Sequence, residues 1–268
     1  MPSIAAISRE RHADKVWKRF VSYDFARPSS LAPLVAAEIP KAAMSMPLAF
    51  IRQGEGYVPV ALMGLEPGKN LLVAPDGRWL GRYVPSALRG YPFSLARTEG
   101  ETLVLCIDED SGLVSDGAEG EPFFDAEGQP AAGLSQVMDF LQQIERNRGA
   151  TAIACAALAE QDLIRPWPIT LKGEAGERQI EGILQIDEAA LNQLPDDAFP
   201  SLRRAGALPL AYCQLLSMQH LAMLGELASA HARPPQPQPQ PQPARPFSGF
   251  ALPEDGLLQF DWNQSSAG

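Results

Sequence analysis

A chain of 268 residues with 46% hydrophobic content is long enough to bury a substantial core, as one large domain or as a domain with appendages. Its formal net charge of −10 argues against a nucleic-acid surface, because neutralising phosphates needs clustered Lys and Arg. The nearest approach to such a cluster, Arg9, Arg11, Lys15, Lys18 and Arg19, is interleaved with Glu10 and Asp14 and reads as a solvated helix face.

The apolar run at residues 4–7 is too short for a signal-peptide core, and the longest apolar window, 151–159, is too short to span a bilayer. Cys106, Cys155 and Cys213 lie far apart in apolar surroundings, with no zinc or redox spacing, and read as buried thiols in a reducing compartment. A soluble, cytoplasmic protein without membrane insertion is expected.

In chain order, residues 1–50 combine a short amphipathic start with a segment that Pro40 and Pro47 break into turns. From 57 to 107 the pattern is β. YVPVALMG, NLLVAP, YPFSLA and ETLVLCI are apolar runs separated by Pro67-Gly68, Asp76-Gly77 and Glu99-Gly100, which predicts an antiparallel sheet. Leu134, Val137, Met138, Leu141 and Ile144 then mark a helix face that continues past Gly149 to Leu158. ITLKGEAGERQIEGILQID reads as a hairpin turning at 174–177, and Asp187 is placed to cap the helix that follows. The last folded element is a helix from Leu208 to about His231.

At Arg233 the composition changes to PPQPQPQPQP, which cannot form helix or an interior strand and favours polyproline II. The expectation is an α+β fold. A β-rich N-terminal half carries the antiparallel sheet, the C-terminal half is helical, and residues 1–232 form the globular domain. Residues 233–268 form a disordered Pro/Gln-rich linker and tail bearing Phe247, Phe250, Phe260 and Trp262.

Several blocks occur in a characteristic order: YVPSALRGYPF from Tyr83, CIDEDSG, EGEPFFDAEGQP, LIRPWPITL, EGILQIDEAALNQLPDDAF and LRRAGALPLAYCQLLSMQHLAML. This order resembles the SapC family of bacterial proteins over roughly residues 10–228. The resemblance implies bacterial origin, a family name inherited from surface-layer association, and no agreed catalytic activity. It also implies histidines in the closing helices where this chain has Leu202-Arg203 and Tyr212-Cys213.

Candidate chemistry is sparse. Between residues 99 and 127 there are ten Asp or Glu and no Lys or Arg. Asp108, Asp110, Asp116 and Glu119 fall at positions 1, 3, 9 and 12 of an EF-hand register, but its central glycine position is Leu113 and a strand pattern precedes it. A solvated acidic turn is expected there. His12 and Asp14 have the spacing of two ligands of a non-haem iron triad, with His220 as the third, yet they sit in a charged helical pattern that reads as a surface helix. Cys106 lies beside carboxylates that raise a thiol's pKa, making it a poor nucleophile. Trp79, Trp167, Tyr83 and Tyr91 could line a pocket, but proline-flanked aromatics read first as core and turn anchors.

No catalytic residue, cofactor or metal is assigned. The expected function is a non-catalytic accessory or interaction protein, linked through its family to cell-surface processes. It recognises a protein partner through the acidic loop and the tail residues Phe247, Phe250, Phe260 and Trp262. The alternative is a small-molecule binder or an enzyme, a non-haem oxygenase among the options, with its site between the sheet and the final helices.

Overall fold

The computed structural model describes residues 3–98, 100, 102–117, 119–173 and 176–232. The chain divides at Ala232, and Phe247, Phe250, Phe260 and Trp262 lie outside the described residues. No helix among the described residues is long and apolar enough to cross a membrane.

Short apolar runs bounded by turn residues become strands in the N-terminal half. In order these are β1 (Ile4–Ala6), α1 (Arg9–His12), β2 (Val16–Trp17), β3 (Leu31–Pro33), α2 (Ile39–Ala43), β4 (Leu48–Gln53) and β5 (Gly56–Leu62). Then come α3 (Ser86–Arg89), β6 (Phe93–Arg97), β7 (Leu103–Asp108), β8 (Val114–Ser115) and β9 (Glu121–Pro122). The C-terminal half opens with the long helix α4 (Ala132–Glu160). β10 (Ile164–Pro166), β11 (Ile169–Gly173), β12 (Gly176–Ile180) and β13 (Leu184–Ile186) follow, and then α5 (Glu188–Asn192), α6 (Phe199–Arg204), α7 (Ala207–Ser217) and α8 (Leu221–Ala232). The fold is α+β, with a β-rich N-terminal half and a helical C-terminal half.

The expected β region does not form one sheet. β5 pairs with β4 and β3 in a five-stranded sheet of order β10-β13-β4-β5-β3, whereas β6 pairs with β7, which is flanked by β1 in a second sheet. β8 and β9 flank β2, and β11 pairs with β12 in a hairpin shorter than the one expected over 169–187, since Leu184–Ile186 joins the five-stranded sheet as β13; every pairing is antiparallel. The run NLLVAP is buried but forms no ladder. Asn70 diverts it, donating from Nδ2 to the Ala26 carbonyl at 3.1 Å while Oδ1 accepts from Leu72 N–H at 2.9 Å. Those bonds hold Leu71, Leu72 and Val73 in the core by turns in place of strand pairing.

Two apolar clusters result. The larger gathers Phe50, Met63, Leu158, Ile186, Leu202 and Leu210 between the five-stranded sheet and the C-terminal helices. The smaller centres on Trp17, Phe93, Ile107, Phe123 and Leu134. Helix α4 serves both, contributing Leu134 to the smaller cluster and Ala154, Cys155 and Leu158 to the larger. It ends at Glu160, where Asp162 adopts a left-handed φ of 57°. The closing helix is broken in two by a 3-10 turn at Met218–His220.

Candidate functional site

Glu38 is the one charged residue between Pro28 and Pro40, and the fold buries it, leaving 5% exposed. It ends a 3-10 turn, Ala36–Glu38, from which Pro40 helps launch α2 by pre-setting its first turn. Its Oε1 accepts from Val35 N–H at 3.0 Å and from the Ser86 hydroxyl at 2.6 Å. Oε2 accepts from the Tyr83 hydroxyl at 2.7 Å and from Ser86 N–H at 2.8 Å. A buried carboxylate needs such partners to offset its lost hydration, and here both oxygens are fully engaged. Arg89 stands 3.9 Å from Oε2 and lies over the rings of Tyr83 and Phe140, at 5.7 and 5.2 Å from their centroids.

This network forms one wall of a cleft, and α4 forms the other. A cavity of about 260 Å³ is bounded by Glu38, Lys41, Tyr83, Arg89, Gln143 and Asn147. An adjoining cavity of about 310 Å³ is bounded by Pro33, Tyr57, Val58, Pro59, Arg148 and Thr151, and Val35, Ser86 and Ile144 line both. Thr151 fixes the junction, accepting from Ala36 N–H at 2.8 Å and donating to the Asn147 carbonyl at 2.7 Å. The cleft thus runs from a polar end at Lys41 and Arg89 to an end where Pro33, Val58, Pro59 and Ile144 supply apolar wall beside Gln53, Arg148 and Thr151.

The groups at the cleft do not look poised for proton transfer. Burial, and then the bond to Glu38, push the Tyr83 phenol above its ordinary range, so it stays protonated. The thiols elsewhere are similarly inert: burial pushes Cys155 up to about 12 and also raises Cys106 and Cys213. For Cys106 the cause is burial rather than the neighbouring carboxylates expected from the sequence.

The SapC family model matches residues 7–224, most of the chain. The chain belongs to the SapC family. No curated protein and no solved structure matches it. Several blocks that carry the SapC resemblance hold particular contacts in the fold. YVPSALRGYPF supplies Tyr83, Ser86 and Arg89 to the cleft wall, and ILQIDEAAL supplies Asp187, which caps α5 by accepting from Ala190 N–H at 3.0 Å. The closing block supplies Gln214 and Ser217, which close the space between α7 and the five-stranded sheet. The cleft lies between α4 and residues of β3 and β5 in the five-stranded sheet, with the segments 35–41 and 83–89 at its other end.

The four acidic residues in EF-hand register do not converge. Asp108 Oδ1 accepts from Ser3 N–H and Asp110 N–H, capping a 3-10 turn, while Asp116 and Glu119 reach Lys15 and Lys18 at 3.7 and 3.1 Å. Arg11 pairs with Glu109 and Arg19 with Glu121 in the same manner. The basic strip and the acidic loop, both expected to be solvated, are thus ion-pair partners around β2, β8 and β9.

His12 is not on a surface face. It is fully buried against Phe123, at 5.0 Å between ring centroids, because α1 folds onto the smaller cluster. His220 is placed elsewhere, with Nε2 3.1 Å from the Ala43 carbonyl. The structure does not bring His12, Asp14 and His220 together, and no group of three His, Cys, Asp or Glu among the described residues could hold a metal ion. Of the four aromatics singled out, Tyr83 lines the cleft. Tyr91 stacks on Phe25 at 3.9 Å, Trp79 donates to the Tyr83 carbonyl at 2.9 Å, and Trp167 is buried.

Sequence reasoning missed Glu38, Lys41, Ser86 and Arg89. The signal was a lone carboxylate in an uncharged run of residues 28–40, which cannot be buried without a dedicated set of donors.

Proposed function

We propose that this SapC-family protein is a non-catalytic binding protein whose ligand seats in the cleft between α4 and the segments 35–41 and 83–89. The observation that carries this reading is the saturation of Glu38. A carboxylate that already accepts four hydrogen bonds shapes a wall and has no lone pair with which to take a proton from a substrate. Convergent polar groups at one end of an otherwise apolar concavity are the usual form of a ligand site. Three free thiols, Cys106 and Cys155 buried and Cys213 half-buried, fit a reducing, cytoplasmic setting, which is part of the proposal. Recognition of a protein partner through the tail, and any link to the cell surface, remain proposals on residues outside the described ones.

The test is native mass spectrometry of the full chain purified from its own host, beside an Ile144→Trp variant that fills the shared wall of both cavities. A small molecule retained by the parent and lost from a folded variant supports the reading. Chemical turnover of that molecule, or retention unaffected by Ile144→Trp, overturns it.

A further inference from the structure

We infer that the cleft takes an organic anion with an apolar body, its charged head at the Lys41 and Arg89 end and its body along Pro33, Val58, Pro59 and Ile144. This rests on the binding reading above and adds the ligand's chemistry. The charges that line the two cavities, and how each is engaged, select the sign of the ligand. The cleft is lined by Lys41, Arg89 and Arg148, and its only carboxylate among the described lining residues is Glu38. Glu38 is hydrogen-bonded by Ser86, Tyr83 and Val35, so its pairing with Arg89 is the looser ion pair at 3.9 Å, without a hydrogen bond.

The three cations differ in how far they are engaged. Lys41 is exposed and has no ion-pair partner among the described residues. The Arg89 guanidinium makes one long bond, 3.3 Å to the Tyr83 hydroxyl, a loose ion pair with Glu38 at 3.9 Å, and contacts with the rings of Tyr83 and Phe140 at the margin of the cleft. Arg148 is paired with Glu145 at 3.0 Å and adds positive potential without being the anchor. A carboxylate or similar oxyanion head gains charge-assisted hydrogen bonds from Lys41 and Arg89, and an alkyl or aryl body gains burial against the proline-lined end. A cationic ligand would meet three like charges and one occupied carboxylate.

The experiment uses the full chain and three probes that share one body: octanoate, 1-octanol and octylamine, each titrated calorimetrically below its micellar range. The parent protein, Lys41→Gln and Ile144→Trp are compared. Octanoate is expected to bind about ten-fold or more tighter than the other two, a gap that narrows in high salt. Lys41→Gln should weaken octanoate about three-fold or more while leaving 1-octanol unchanged, and Ile144→Trp should remove all binding. Equal affinity for octanoate and 1-octanol, still lost in Ile144→Trp, overturns the anion inference and leaves the cleft reading standing. Binding indifferent to Ile144→Trp, or no binding by any probe, overturns both.

Discussion

At position 38 a single side chain replaces what would otherwise be four separate problems of buried donors. Glu38→Gln keeps the volume but, since each carboxylate oxygen accepts from one backbone N–H and one hydroxyl, its NH2 faces the N–H of Val35 or of Ser86 whichever way the amide turns. The expected cost is about 3 kcal/mol in urea denaturation, since bonds to a charged acceptor are among the stronger ones and the misplaced amide leaves donors facing donors. A loss smaller than about 1 kcal/mol would mean that the shell relaxes to water. His12 carries a different prediction. Its Nε2 has no hydrogen-bond partner, although Glu109 Oε1 stands 3.3 Å away out of alignment. Burial lowers its pKa, outweighing the Ser8 backbone bond and the attraction of Glu109, with Arg11 and Lys15 acting in the same direction as burial. The unfolded chain, titrating near ~6.5, therefore binds more protons than the folded one as pH falls through that value, and stability is lost on the acid side. Glu109, held below the usual carboxylate range by Arg11, titrates lower still and does not share this window. The melting temperature should fall between about pH 7.5 and 5.5, and His12→Gln should flatten that slope.

Between elements, Gln214 behaves as a detached peptide group. β13 and β4 share a single register pair, Leu184 with Phe50, and beyond it the strands part. Gln214 fills the gap from α7, accepting from Ile186 N–H at 2.9 Å and donating to the Leu48 carbonyl at 3.1 Å. Ser217 accepts from Leu48 N–H at 2.9 Å. Gln214→Leu strands two buried backbone groups and is expected to cost about 2–4 kcal/mol, against about 1 kcal/mol for Ser217→Ala; equilibrium unfolding would rank them. None of this was legible in the sequence. A glutamine in a helix predicts a wet face, and only the sheet's divergence explains a buried one. Where the signal was local it was legible: the cap at Asp187 and the long α4 follow from residues within a few positions, and the hairpin expected over 169–187 forms over its first part, β11 with β12, while Leu184–Ile186 leaves it for the five-stranded sheet. Where partners lie far apart in sequence, as for β13 with β4 or Glu38 with Ser86, periodicity carries no information about pairing.

Across the whole described fold, α4 ties the two clusters into one system. Leu134 and Leu158 sit on the same helix in different cores, and each Leu→Ala change should cost about 3 kcal/mol. The expected outcome is one cooperative transition, seen identically by circular dichroism and by the fluorescence of Trp17 in the smaller cluster and Trp79 and Trp167 in the larger. Two separate transitions would show that the clusters melt independently. The charge pairs Lys15 to Asp116 and Lys18 to Glu119 are exposed, so Asp116→Asn with Glu119→Gln should lower the melting temperature only slightly, and less in high salt. The continuity of α4 also sets the protein's tolerance of length changes. At 3.6 residues per turn, one inserted residue rotates everything beyond it by ~100°, so an insertion near Gly149 would keep both halves helical while turning one core's contacts away from their partners. Single-residue insertions and deletions should therefore be eliminated between Leu134 and Leu158, yet accepted at the exposed turn of Pro67 and Gly68. In this sense α4 is a reading frame for the fold, in which a phase error is worse than most substitutions.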